Sequence, residues 1–243
     1  MKLVSVNVEG GRHLEKVFSF LEREDSDLVC LQEAPIDVSS WLKERGYRVT
    51  FLPLTLMTQD GERFPQGNLF ASKTSYIVDI FHYHQPCDSL PLFDREKIRE
   101  TNARGLILAQ IDDFLVATTH FTWTPNGELA DENQVNDLKK LFSFLDKQAP
   151  HILCGDFNIP RNINRLYEEE LATRYSDAIP QSYKSSLDKN LHRLGKDSEY
   201  DFIFDTFMVD YILLKSPFKA ENVRLEFGVS DHAGVVADLK REN

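Results

Sequence analysis

Eight polar residues stand where the surrounding pattern would otherwise stay apolar: Asn7, Glu33, His120, Asp156 with Asn158, Asp210, and Asp231 with His232. Each is a carboxylate, an amide or an imidazole, and no cysteine takes such a position. Oxygen-rich ligands with amides select a hard cation, Mg²⁺ or Mn²⁺, over zinc. Two histidines beside such a cation could deprotonate a water and hold a charged phosphoryl group. That chemistry needs residues from distant parts of the chain to meet, as strand ends on a shared sheet edge can do.

The apolar runs supply those edges. Leu3, Val4, Val6 and Val8 form a β-branched run, Gly10-Gly11 a turn, and Leu14, Val17, Phe18 and Leu21 recur at helical spacing over 13–23. Residues 27–33 are a second buried-strand run ended by Pro35, so the chain should cross over onto a neighbouring strand. A short helix is expected over 38–45. Closely spaced runs at 47–52, 69–71, 75–83, 105–111 and 114–119 predict meandering antiparallel strands. Leu138, Leu141, Phe142 and Leu145 share one face of an amphipathic helix over 129–147, directly before a strand at 151–154. Residues 163–174 read as a helix and 182–200 as a polar loop; strands at 207–214, 223–227 and 234–239 close the chain. No linker or repeat divides it, so 1–243 reads as one domain of mixed sheets with flanking helices.

Composition narrows the function classes. With 243 residues, 42% hydrophobic and 28% charged, the chain has material for a core and no case for disorder. Its formal net charge of −11 excludes a protein that coats DNA through a basic groove. Any phosphate contact then needs a locally inverted field, such as a metal ion. Cys30, Cys87 and Cys154 lie far apart with no Cys-x-x-Cys pair, which reads as reduced thiols in the cytoplasm. The N-terminal apolar stretch is too short for a signal-peptide core, and none approaches the ~18 residues of a membrane span. A cytoplasmic protein with no membrane span is expected, and nothing in the pattern marks an oligomer interface.

Val6-Asn7, Leu31-Gln32-Glu33, Thr119-His120, Gly155-Asp156-Phe157-Asn158, Val209-Asp210-Tyr211-Ile212 and Ser230-Asp231-His232 occur in that order. Singly these are weak signals. Six in order, each at a strand end, make the chain resemble the endonuclease/exonuclease/phosphatase superfamily, the DNase I-like metal-dependent phosphoesterases, over residues 4–239. The resemblance implies an α/β (α+β) four-layered sandwich of two packed, mainly antiparallel sheets flanked by helices, with the site in a cleft at one edge. It implies Glu33 as principal metal ligand, Asn7 beside it and Asp231 close to the ion. Asp156 would orient or deprotonate the attacking water, and Asn158 would hold it or a phosphate oxygen. His232 matches the histidine on the scissile phosphate, and Asp210 the carboxylate that fixes its tautomer and keeps it cationic. His120 stands where some branches carry a phosphate binder or leaving-group acid and abasic endonucleases a tyrosine. Arg104 matches a phosphate-clamping arginine more loosely.

The implied cofactor is Mg²⁺, with Mn²⁺ as its substitute, and the implied substrate is a phosphate ester, nucleic acid included. A nuclease-type phosphodiesterase leads; action on a small molecule or lipid head group is the alternative, and a catalytically silent binding module with the same fold the rival. Each residue also has a plain structural reading. Asn7 could cap a strand, Asp156 and Asn158 could turn the chain, and Arg104 could be a surface strand arginine. Trp123 could stack a substrate ring at the cleft rim or pack under its own loop. His82 and His84 share a strand face but lack a third zinc ligand, so a solvated face is expected. Lys184, Lys189, Arg193 and Lys196 form a basic exception in an acidic chain, steering an anion or merely solvated.

Overall fold

Along the first strand Val4 and Val6 point one way and Leu3 the other, and the second strand repeats this with Val29 and Leu31 against Leu28 and Cys30. Strands buried on both faces need cover on both, and that requirement builds the molecule in layers. The computed structural model describes residues 1–59, 61–124, 127 and 129–242. In chain order the first elements are β1 (Lys2–Asn7), α1 (Leu14–Glu24), β2 (Leu28–Pro35), α2 (Val38–Glu44), β3 (Arg48–Gln59), β4 (Glu62–Ser72), β5 (Ile77–His84) and α3 (Ile98–Thr101). They continue with β6 (Arg104–Ile111), β7 (Phe114–His120), α4 (Glu132–Leu145), β8 (Ile152–Asp156), α5 (Ala172–Arg174) and β9 (Ser176–Asp177). The last are α6 (Asp201–Thr206), β10 (Asp210–Leu214), β11 (Phe218–Glu226) and β12 (Gly234–Arg241).

Two six-stranded sheets result, ordered β11-β12-β1-β2-β4-β3 and β5-β6-β7-β8-β10-β9. Each holds one parallel pair, β1 with β2 and β7 with β8, among antiparallel neighbours. A helix makes each crossover, α1 in the first sheet and α4 in the second, as parallel neighbours require. Val17, Phe20 and Leu21 of α1 and Val38 and Leu42 of α2 cover the outer face of the first sheet. Leu138, Leu141, Phe142 and Leu145 of α4 join the large cluster that also takes in Cys30 and Phe70 of the first sheet and Ile107 and Cys154 of the second. The α/β sandwich of two packed sheets with flanking helices is therefore observed.

Several elements differ from the sequence pattern. β3 and β4 form a hairpin far longer than the runs at 47–52 and 69–71, because β3 is an edge strand whose register shift between Pro53 and Thr55 accommodates the proline. Residues 165–174 are helical but pass through a π turn over Tyr167–Leu171. α6 fills 201–206, the gap between the expected loop and strand to which the pattern assigned no element, and β11 begins at Phe218, ahead of the run at 223–227. His84 is no solvated residue: its Nε2 meets the Arg99 carbonyl at 2.7 Å, and a register shift separates it from His82. No helix among the described residues is long and apolar enough to cross a membrane.

Candidate active site

The carboxyl ends of both parallel pairs lie at one edge of the sandwich, where crossover connections leave a crevice. β1 ends on Asn7, β7 on His120 and β8 on Asp156, while the antiparallel strand β10 begins there with Asp210. Ladder register sets His120, Asp156 and Asp210 side by side. The turn before β12 brings Asp231 and His232 to the same edge, pinned by a bridge between Leu187 and His232.

Asp156 joins the two sheets. Its Oδ2 accepts from Asn7 Nδ2 at 3.0 Å and lies 3.5 Å from His120 Nε2 and 3.9 Å from His232 Nε2. Its Oδ1 accepts the Asn158 N–H at 2.9 Å, an Asx turn that holds Asn158 at φ 51°. Gly155 is obligatory just before it: at φ 130° a Cβ would sit 2.0 Å from the Thr119 carbonyl oxygen. Asn158 Nδ2 donates to the Phe121 carbonyl at 3.1 Å, so this amide ties two loops together and only its oxygen side stays free of that bond.

Simple alternation would send Glu33 to the helix-covered face beside Leu31. Instead Glu33 adopts φ 54° within a register shift between Leu31 and Ala34, a bulge that turns the carboxylate into the crevice. A left-handed glutamate costs on the order of 1–3 kcal/mol and persists where surroundings enforce it. Gln66 of β4 does so, its Nε2 donating to the Glu33 carbonyl at 3.2 Å. Glu33 Oε1 accepts from Asn7 Nδ2 at 3.2 Å and lies 3.8 Å from His120 Nε2, and the side chain is 34% exposed.

The two imidazoles carry opposite states. Burial, reinforced by the Arg104 and His232 cations, drives His120 well below the usual histidine range. Burial also works against a charged His232, but the Asp210 and Asp156 carboxylates outweigh it and hold that ring well above the range. Asp210 Oδ2 meets His232 Nδ1 at 2.7 Å and accepts Ser186 Oγ at 2.6 Å. Ser186 Oγ in turn accepts the N–H groups of Val209 and Asp210, each at 3.2 Å. Burial pushes the Asp156 carboxyl up to about 6 and Asp231 up to about 7; His232 opposes both shifts, Asp210 adds to the first, and Glu9 and Glu33 add to the second.

The residues singled out from the sequence thus converge, with qualifications. Arg104 is buried rather than a surface arginine; its guanidinium donates to the His120 carbonyl at 3.4 Å and forms no ion pair among the described residues. Trp123 is 38% exposed on the loop after His120. Pro125, two residues further on, lies outside the described residues. Pattern reasoning missed Ser186, Gln66 and Gln134. Buried Gln134 of α4 donates to the Thr122 carbonyl at 2.8 Å and the Asn158 carbonyl at 3.0 Å, clamping the loops after β7 and β8. None carries a spacing signal; for Gln134, a polar residue amid the apolar face of α4 was the available hint.

Among the described residues, Asp156, Asp210 and His232 form a group whose ligand atoms lie within 4.8 Å and which could hold a metal ion. A cationic His232 has no lone pair to give, however, and Asp210 Oδ2 is already engaged by its Nδ1 and by Ser186. Glu33, facing the crevice, and the nearby Asp231 offer the freer oxygens. Buried carboxylates pushed toward neutrality, together with an Asp210 Oδ1 that has no donor partner, fit a site completed by a hard cation.

Known proteins share this arrangement of strands. The chain superposes along its whole length on an endonuclease/exonuclease/phosphatase from Beutenbergia cavernae DSM 12333 at TM-score 0.74 and 17% identity, covering 72% of that chain. It covers 99% of, and is 99% covered by, a 3′ phosphatase from Neisseria solved with a product DNA hairpin, at TM-score 0.67 and 17% identity. In sequence it is 28% identical over 171 residues to an exodeoxyribonuclease of Bacillus subtilis (strain 168), a match over 65% of this chain that spans 59% of that relative's length. The family model for endonuclease/exonuclease/phosphatase proteins runs over residues 4–232, from β1 through the Ser-Asp-His turn that completes the crevice. The chain belongs to the endonuclease/exonuclease/phosphatase family.

Proposed function

We propose that the protein is a Mg²⁺-dependent phosphoesterase that cleaves phosphodiesters, with nucleic-acid strands as its leading substrate class. The carrying observation is Asp156, whose Oδ2 lies 3.5 Å from a neutral His120 and 3.9 Å from a cationic His232 while bonded to Asn7 of the other sheet. The exodeoxyribonuclease relative and the DNA-bound phosphatase of like fold support a nucleic-acid substrate. The three unpaired cysteines suit a reducing, cytoplasmic setting.

Asn7, Glu33 and Asp231 would hold the cation, Mg²⁺ or in its place Mn²⁺. When bound, it neutralises charge on the phosphoryl oxygens as the transition state forms. Asp156, poised near neutrality, accepts the proton of the attacking water at Oδ2, with Asn158 Oδ1 available to orient that water. His232, locked by Asp210, donates from Nε2 to a phosphoryl oxygen and lowers the cost of its growing charge. His120, kept neutral, serves as a hydrogen-bond donor to the same phosphate, and Arg104 beneath it adds a permanent positive field. As the water oxygen bonds to phosphorus, the opposite P–O bond breaks and its oxygen leaves with the electron pair, taking a proton from solvent.

A panel of oligonucleotides, small phosphodiesters and phosphomonoesters, assayed with Mg²⁺ and with EDTA, tests this reading. Diester cleavage that disappears in EDTA and in Glu33→Gln is expected. Turnover of monoesters alone would move the assignment to a phosphatase. Mg²⁺-dependent thermal stabilisation without turnover on any substrate would make the chain a binding module.

A further inference from the structure

The basic stretch noted in the sequence does not act as a unit. Lys189 pairs with Asp201 at 2.7 Å, and Lys184 Nζ donates to the Gln181 carbonyl at 3.0 Å. Arg193 instead reaches Glu9, its Nε 3.5 Å from Oε1. Glu9 stands two residues beyond Asn7, and its N–H donates to Asn7 Oδ1 at 3.0 Å. Its carboxylate, only 7% exposed, also gathers Arg12 Nη1 at 3.2 Å and His13 Nε2 at 3.4 Å. Glu9, Gly10 and Gly11 all take positive φ, at 45°, 66° and 90°, so a tightly turned backbone fixes this carboxylate beside the site.

The segment carrying Arg193 is anchored on the His232 turn. The Asp188 N–H donates to the Asp231 carbonyl and the Ala233 N–H to the Ser186 carbonyl, both at 2.7 Å. Arg12 from the β1 turn and Arg193 from the far side therefore meet over one buried carboxylate at the end of the crevice. Their side chains remain 54% and 56% exposed. In a chain of net −11, this places two exposed guanidinium groups together at the end of the crevice.

We infer that Arg12 and Arg193 form a second phosphate site that takes the phosphate adjoining the scissile one, so that the enzyme selects a nucleic-acid strand over a substrate with a single phosphate. This rests on the phosphoesterase reading above. Glu9 holds two like charges together in the free protein. Each guanidinium uses one nitrogen on Glu9, Nη1 of Arg12 and Nε of Arg193, so the exposed remainder of both forks can meet phosphate oxygens while the Glu9 pairs stay in place.

Fluorescence anisotropy of a labelled single-stranded oligonucleotide, titrated across salt concentrations, measures this site without requiring turnover. Arg193→Gln and Arg12→Gln should each weaken binding about tenfold at low salt and reduce the slope of log affinity against log salt by about one. Lys196→Gln, on the same segment, should match the wild type. Unchanged affinity and slope in Arg193→Gln, or an equal loss in Lys196→Gln, would overturn the inference. Wild-type hydrolysis of a one-phosphate diester with Mg²⁺ reports separately on the phosphoesterase reading, so either can fail alone.

Discussion

The two sheets contribute unlike rims to one crevice. The rim of the first carries Asn7, Glu33 and, from the turn before β12, Asp231; its leading carboxylate is 34% exposed and held by left-handed backbone. The rim of the second carries His120, Asp156 and Asp210, all buried and locked by ladder register and by Ser186. His232 leaves the chain beside Asp231 but binds Asp210, and so belongs functionally to the second rim. The open Glu33 oxygen suits a cation that must also meet substrate, even with Asn7 and Asp231 buried beside it, whereas the buried, mutually tuned groups of the second rim suit proton handling. The difference suggests a division of labour between the sheets.

The most severe way to break the second rim is Asp210→Asn, which removes the charge that keeps His232 protonated. A fall of roughly 10³-fold in kcat/KM is expected. In the proposed mechanism His232 acts as a cation, so wild-type activity should decline as pH rises through its raised pKa, and in Asp210→Asn that decline should move to lower pH. Steady-state pH–rate profiles check both.

Both rims should respond to metal removal in the same sense. Asp156 and Asp231 titrate near 6 and 7 in the folded chain against an ordinary 3.8. Groups raised in this way bind protons more tightly folded than unfolded, so their stabilising contribution is complete below 3.8 and is lost as pH rises through those values. His232 acts in the same sense at higher pH: its contribution is complete below 6.5 and is lost through its raised pKa. The Tm of protein in EDTA should therefore fall between pH 5 and 8, and the gap between Mg²⁺ and EDTA melts should widen over that interval. Parallel curves would contradict the placement of the cation among these carboxylates.

Ser186→Ala is a milder break. It strips a donor from Asp210 and an acceptor from two backbone N–H groups, costing about 1–3 kcal/mol of stability, with an activity loss near tenfold. Smallest of all, Trp123→Ala should raise KM for oligonucleotides several-fold through loss of a stacking surface worth about 1–3 kcal/mol, leaving kcat nearly unchanged. Equal KM values would place the tryptophan outside the substrate path.

The unequal legibility of these parts has physical causes. Strands that finish in Asn7, His120 and Asp156 could be read because an apolar run stops on a polar residue, and Asp210 because it interrupts one. Glu33 was legible as a residue but not as a direction, since alternation sends it to the wrong face and only the bulge reverses it. Ser186 sits in a segment without periodicity, and its role comes from backbone laced to 207–210 and 231–233, contacts that spacing cannot encode. The β3 and β4 hairpin was obscured by Pro53, which an edge strand tolerates, and α6 by its brevity, six residues being too few to show a helical period. Arg193 illustrates the same limit, for its chemistry lies in the one carboxylate it reaches.

A paired comparison of Glu33→Gln and Asp156→Asn, measuring Mn²⁺ binding by electron paramagnetic resonance alongside Mg²⁺-supported diester hydrolysis, tests the division of labour most directly. Glu33→Gln should lose both. Asp156→Asn should keep Mn²⁺ affinity within about tenfold of wild type while losing roughly 10³-fold in turnover. Loss of Mn²⁺ binding in Asp156→Asn as complete as in Glu33→Gln, or retention of both properties in Glu33→Gln, would contradict the account.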